Sequence, residues 1–178
     1  MQTARGASLT DERDSRRSSL KLFVLAAVVV YAIDQLTKAI AVAKLDGDDS
    51  ITVIPQVISL TLLRNAGAAF SMGTSMTALL SLLAVGIIVF VLMVARRLRD
   101  PIWAVALGLL LGGALGNLTD RVLREPSFLK GHVVDFIDYG GYFVGNVADI
   151  AITVAAVLIF LRSMRGIGLD GSRDKDKT

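Results

Sequence analysis

The chain has 178 residues, 53% of them apolar, and a mean hydropathy of +0.61, more apolar than a soluble domain whose helices must keep a wet face. It holds no cysteine and one histidine, His132, which excludes thiolate catalysis, disulfides, iron–sulfur sites, cysteine-based zinc sites and the paired-histidine zinc proteases. The net charge of +3 is small, so the placement of the charges says more than their sum, and the length fits one compact unit.

Residues 1–20 mix Arg5, Arg13, Arg16 and Arg17 with Asp11, Glu12 and Asp14 and lack a hydrophobic period; a disordered cytoplasmic tail is expected there. Four apolar stretches follow, at 22–43, 76–95, 102–123 and 146–161, each near the roughly 20 residues a helix needs to cross a bilayer. The first has features of a signal peptide: Arg16, Arg17 and Lys21 precede it and Ala41-Val42-Ala43 resembles a cleavage site. Against that reading, Asp34 and Lys38 interrupt the apolar region and three more spans come after it. Residues 21–163 are thus expected to form one four-helix transmembrane domain, with a β-rich outer segment at about 44–75 and a second disordered cytoplasmic tail at 164–178.

Basic residues fix the expected orientation. The first tail with Lys21, the Arg96-Arg97-Leu98-Arg99 turn and the segment from Arg162 onward carry 13 of the 19 lysines and arginines. The positive-inside rule then places both termini in the cytoplasm and the two long connections outside. Those connections do not read as disordered. Residues 50–54 and 57–62 partly alternate, are rich in β-branched side chains and are split by Pro55, which predicts a small strand platform; 131–136 is a further strand candidate.

Charged groups inside spans cost about 2.5–3.5 kcal/mol each, so they default to paired or functional roles. Here they crowd toward the outer ends. Asp34 and Lys38 lie four apart on the first span, and Asn117, Asp120 and Arg121 share a face of the third. Asn146 and Asp149 open the fourth, while Asn65, Asp135 and Asp138 come from the connections. A pattern G-N-x-x-D occurs twice, at 116–120 and 145–149, and pairs Asp120 with Asp149. A Ser-His-Asp triad would have to use His132, which has no serine elbow near it in sequence. A Ser-Lys dyad of Lys38 with Ser71 or Ser75 is a second option. A pair of aspartates sharing one proton is a third, and needs neither metal, thiol nor histidine. Plainer roles stand beside these: an i,i+4 ion pair for Asp34 and Lys38, and a clamp of Asp120 with Arg121. Arg64, Arg124 and Lys130 read as interfacial cations facing headgroups. Asp149, one turn into an apolar helix without a neighbouring cation in sequence, is the residue such roles explain least.

Five stretches in order resemble the prolipoprotein signal peptidases, or signal peptidase II, over roughly 22–162. They are Asp34-Gln35-Leu36-Thr37-Lys38, Asn65-Ala66-Gly67-Ala68-Ala69-Phe70-Ser71, 112–121, His132-Val133-Val134-Asp135-Phe136 and Asn146-Val147-Ala148-Asp149. The resemblance implies an intramembrane aspartic endopeptidase that removes signal peptides from diacylglyceryl-modified prolipoproteins, cleaving before the lipidated cysteine. It implies Asp135 and Asp149 as the catalytic pair, against the pair suggested by the repeated pattern. Asp34, Lys38, Asn65, Gly67, Asn117, Asp120, Arg121 and Asn146 would form the supporting shell, and 44–75 a strand cradle with an outer lid. One departure stands out: Gly145 precedes Asn146 where the family usually has an aromatic, and Phe143 lies two residues earlier.

The resemblance further implies no cofactor or metal, sensitivity to the cyclic depsipeptide globomycin, and lipid-modified prolipoproteins and membrane lipids as partners, not nucleic acid. The chain is expected to act as a monomer in the bacterial inner membrane with its active site near the outer leaflet. The competing classes are a small transporter or proton path, for which the four spans lack inverted halves, and a membrane scaffold, which leaves the converging aspartates unexplained.

Overall fold

The computed structural model describes residues 2–47, 50–67 and 74–173. Helix α1 (Gln2–Leu45) leads into strands β1 (Ile51–Ile54) and β2 (Ile58–Asn65). Helices α2 (Thr74–Ala95) and α3 (Pro101–Leu123) follow, then β3 (Val133–Asp138), β4 (Val144–Gly145) and helix α4 (Val147–Met164). Each helix contains a stretch long and apolar enough to cross a membrane, with bounds within a few residues of those expected except at α1.

Two tails differ from expectation. Residues 2–20 are helical and continuous with the first span; extending an existing helix avoids the costly nucleation step, so a polar sequence can follow it. The C-terminal segment as far as Arg173 is also ordered. Ile167 bridges to Arg173, the Trp103 indole donates to the Ile167 carbonyl at 2.9 Å, and the amides of Arg99 and Asp100 donate to the Leu169 carbonyl. A compact turn, with Ile167 buried, therefore covers the N-terminal end of α3. Residues 174–178 lie outside the described residues.

Helix α3 is the centre of the bundle, packed on α1, α4 and α2; 56% of its spanning window is buried, against 17–22% for the others. Its start is set by Asp100, whose carboxylate accepts from the Trp103 amide at 2.9 Å, and by Pro101 in the first turn. Glycines make the close approach possible. A Cβ on Gly108 would lie 2.6 Å from the Phe23 carbonyl oxygen and one on Gly112 2.5 Å from that of Ala27, so larger residues there would force α1 away. Phe23, Ala27, Val91, Leu98, Ala104, Leu107 and Leu111 form the inner core, while Val24, Leu25, Leu82 and Phe90 stay exposed on the bundle surface, as lipid contact requires.

The four strands form one antiparallel sheet in the order β1-β2-β3-β4. The platform expected at 50–62 is therefore present, extended to Asn65 and joined by β3 and the short β4, which was not foreseen. Val134 and Phe136 pack on Ala41 and Leu45 at the C-terminal end of α1. By strand alternation Asp135, between them, points to the other face.

Candidate active site

Lys38 is fully buried and lies at the middle of a polar cluster where the sheet meets α1, α3 and α4. Its ammonium donates to Asp34 Oδ2, Asp120 Oδ2 and Asn117 Oδ1, each at 2.9 Å. Three donors meet three acceptors, which is what a buried ammonium requires if its desolvation is to be offset. The second oxygens of both aspartates are also engaged. Asp34 Oδ1 accepts from the Ala148 amide at 3.0 Å, at the positive N-terminal end of α4. Asp120 Oδ1 accepts from Arg124 Nε at 2.7 Å, and Asp120 Oδ2 also from the Val134 amide at 3.1 Å. Asp34 with Lys38 is thus an i,i+4 pair inside a larger network.

The clamp expected between Asp120 and Arg121 is instead formed by Asp120 with Lys38 and Arg124. Neighbours on a helix point about 100° apart, whereas residues four apart share a face. Arg121 turns its guanidinium to the Asn117 carbonyl at 3.4 Å. Arg124 had the right spacing for Asp120 all along. Gln35 is a further member that spacing did not single out: its amide donates to Asp34 Oδ2 and to the Gly116 carbonyl, both at 3.1 Å.

Around this cluster three asparagines orient two aspartates. Asn117, its oxygen held by Lys38, donates through Nδ2 to Asp149 Oδ1 at 2.9 Å. Asn65 donates to Asp135 Oδ2 at 2.7 Å, while its own oxygen accepts from the Gly67 amide at 2.8 Å. Gly67 has φ +100°, a conformation glycine adopts freely, and that turn fixes which way the Asn65 amide faces. Asn146 serves both aspartates. Its side chain donates to Asp135 Oδ1 at 2.6 Å and its backbone amide donates to Asp149 Oδ2 at 3.1 Å. The Asp149 amide donates back to Asn146 Oδ1 at 3.0 Å, which makes the pair a capping box at the start of α4.

That capping box separates the two copies of G-N-x-x-D. The copy at 145–149 begins a helix, whereas the copy at 116–120 lies inside α3. There Asp120 joins Lys38 and Arg124, and Asn146 brings Asp149 together with Asp135. Asp135 is only 2% exposed. Burial raises its carboxyl to about 6, with the charge of Asp149 adding to the rise and the amides of Asn65 and Asn146 and the charge of Lys38 opposing it. The ten residues that the resemblance implied thus belong to one connected set, with Arg121 at its edge, whereas Asp138 lies apart from it, bonded by the Ser59 hydroxyl at 3.2 Å and the Gly141 amide at 2.8 Å. Lys38 has every donor engaged by this set, which leaves it no free role beside a serine; Ser71 lies outside the described residues, as does the side chain of Ser75. Of the expected cradle and lid at 44–75, residues 48–49 and 68–73 also lie outside them. No group of histidine, cysteine or carboxylate side chains suited to a metal occurs among the described residues.

The departure at Gly145 has a spatial answer. A Cβ there would lie 2.6 Å from the Phe143 ring and 3.2 Å from Asp149 Oδ2. The ring of Phe143, stacked on Tyr139 with centroids 6.0 Å apart, occupies the space beside Asp149 that a side chain at 145 would fill. A cleft of about 310 Å³ lined by Tyr139, Phe143, Asp149, Ile150, Thr153 and Val154 opens there toward the bundle surface.

Comparison with known proteins gives the chain's relatives. A family model described as signal peptidase (SPase) II matches residues 26–165. The chain is 50% identical to a lipoprotein signal peptidase of Rhodococcus jostii over 86% of its length and 77% of the relative's. It is 43% identical to one of Mycobacterium avium over 96% and 93%. Among solved structures, a bacterial membrane enzyme determined by the in meso method superposes with a TM-score of 0.71 at 32% identity, covering 80% of this chain and 92% of that one.

Proposed function

Because this chain belongs to the signal peptidase II family, a family of peptidases, and has four membrane-spanning helices, we propose that it removes signal peptides from diacylglyceryl-modified prolipoproteins by aspartic chemistry at Asp135 and Asp149. The observation that carries the mechanism is Asn146, which holds Asp135 with its side chain and Asp149 with its backbone amide. Two carboxylates held by one residue, with the charge of Asp149 acting on Asp135, resist double ionisation and share a proton. Asp135, raised to about 6 by burial, and Asp149, held by Asn117 and the Asn146 amide, titrate as one coupled pair, in which the protonated member acts as the acid and the ionised member as the base.

The ionised carboxylate takes a proton from a water molecule, whose oxygen attacks the scissile carbonyl carbon. The protonated carboxyl donates to the carbonyl oxygen as it gains charge, giving a tetrahedral diol. Proton transfer to the amide nitrogen breaks the C–N bond, releasing the signal peptide with a new carboxylate and the lipidated cysteine with a new amino group. The cleft beside Phe143 opens from Asp149 to the lipid-facing side, the direction from which a membrane-held substrate arrives. The basic turn at 96–99 and the basic tails support a topology with both termini in the cytoplasm and this site near the outer leaflet of the inner membrane.

Purified protein incubated with a diacylglyceryl-modified precursor should release the signal peptide with cleavage before the modified cysteine. Cleavage should persist in chelator and in serine-reactive fluorophosphonate. Loss of activity in chelator, restored by zinc, would overturn the aspartic mechanism.

A further inference from the structure

On the sheet side of the bundle a cavity of about 600 Å³ is lined by Arg64, Leu123, Arg124, Glu125, Pro126 and His132. None of these belongs to the ten-residue set above. Arg64 is in register with Val134, so it lies on the sheet face away from Asp135. Two guanidinium groups and an imidazole against one carboxylate make a lining suited to an anion. Arg124 uses Nε on Asp120 and its side chain is 34% exposed, which leaves the end of its planar fork toward the cavity. Arg64 reaches Asp46 at 3.4 Å, with both side chains more than half exposed, a contact too weak to hold it against a stronger partner. A guanidinium fork matches phosphate oxygens two at a time.

The position of the cavity narrows the source of that phosphate. Leu123 is the last residue of the third span and is 77% exposed at the cavity wall, and Phe128, on the same loop, is 70% exposed. Apolar side chains beside cations, at the depth where a span ends, match the boundary between acyl chains and headgroups. We propose that this cavity binds a phosphate group, and that its apolar rim matches it to the headgroup of an anionic phospholipid. Through Arg124 the site touches Asp120, and from there contacts of 2.9 Å lead by Lys38 and Asn117 to Asp149. Arg124 is for that reason a poor test residue, whereas Arg64 and His132 stand clear of that chain of contacts.

The test titrates the full chain in detergent with phosphatidylglycerol, phosphatidylcholine or glycerol 1-phosphate, reading bound adducts by native mass spectrometry and protection by thermal unfolding. Phosphatidylglycerol should bind about tenfold tighter than phosphatidylcholine, and Arg64→Gln or His132→Gln should each remove about that factor, as loss of one charge-assisted hydrogen bond would. The unfolding temperature of each variant without ligand checks that it folds. Binding of glycerol 1-phosphate as tight as that of the lipid, and equally sensitive to the substitutions, would assign the same site to a soluble phosphate. Failure of both to bind, equal retention of the two lipids, or binding that survives both substitutions overturns the proposal.

Discussion

Replacing Asp135 by Asn removes a charge that the fold buries almost completely while keeping the shape of the side chain. The gap between its ordinary 3.8 and about 6 in the fold corresponds to about 3 kcal/mol. The folded state holds the proton more tightly than the unfolded chain does. This group therefore takes nothing from stability below about pH 4, takes progressively more as the pH rises to 6 and a constant amount above. Asn at this position escapes that loss, although one of its two hydrogen bonds is spoiled because an amide nitrogen must face the donor of Asn65 or Asn146, at about 1 kcal/mol. Asp135→Asn should thus be more stable than the parent by about 1–2 kcal/mol at pH 7 and no more stable at pH 4. Its cleavage should fall by about 10²–10⁴-fold or more, the contribution of a proton-transfer group. Thermal unfolding in detergent at the two pH values, with cleavage of a lipid-modified precursor at pH 7, reads both effects. A variant that cleaves within about tenfold of the parent would refute the catalytic assignment, and a stability difference unchanged between pH 4 and 7 would refute the burial argument.

Asp149→Asn should also fold and fail to cleave, whereas Asp120→Asn, which leaves Arg124 and part of Lys38 without a carboxylate, should lose about 3–5 kcal/mol of stability and keep residual cleavage in the folded fraction. A stable, wholly inactive Asp120→Asn beside an active Asp135→Asn would favour the pair suggested by the repeated pattern. Gly145→Ala must displace the Phe143 ring, a rotamer distortion of about 0.5–1.5 kcal/mol; with Phe143→Ala the two effects on kcat/KM should be non-additive, and strict additivity would mean that the ring and residue 145 act independently. Activity against pH should be bell-shaped with two apparent values belonging to the aspartate pair, and a flat profile with chemistry rate-limiting would exclude it. Reporter fusions after Arg97 should lie in the cytoplasm and those after Ser127 outside; a cytoplasmic Ser127 would invert the orientation of the site.

The four spans were legible because bilayer thickness dictates how long an apolar run must be, whatever it packs against. Strand alternation marked 50–62 as extended, but β4, only two residues long, is too short to carry a period. The tails misled for a related reason: polar composition describes what a segment cannot bury, yet residues 2–20 need no burial to continue a helix already formed. The turn at 166–173 is held by backbone bonds to Trp103, Arg99 and Asp100, which leave no mark in its own composition.

Residue identity alone determined the inventory of the site: carboxylates, amides and one lysine toward the ends of apolar stretches, in a chain with no thiol and a single imidazole. Partner choice was decided only in three dimensions. Asp120 chose Arg124 over the adjacent Arg121 because helical geometry turns neighbours apart, and it shares Lys38 with Asp34 because Gly116, against whose Cα the Asp34 carboxylate packs, lets α1 and α3 meet. Asp135 and Asp149 lie 14 residues apart in sequence on a strand and a helix, and nothing in their spacing joins them. They are joined because the register of β3 with β4 delivers Asn146 to the point where its amide side chain and its backbone N–H each reach a different carboxylate.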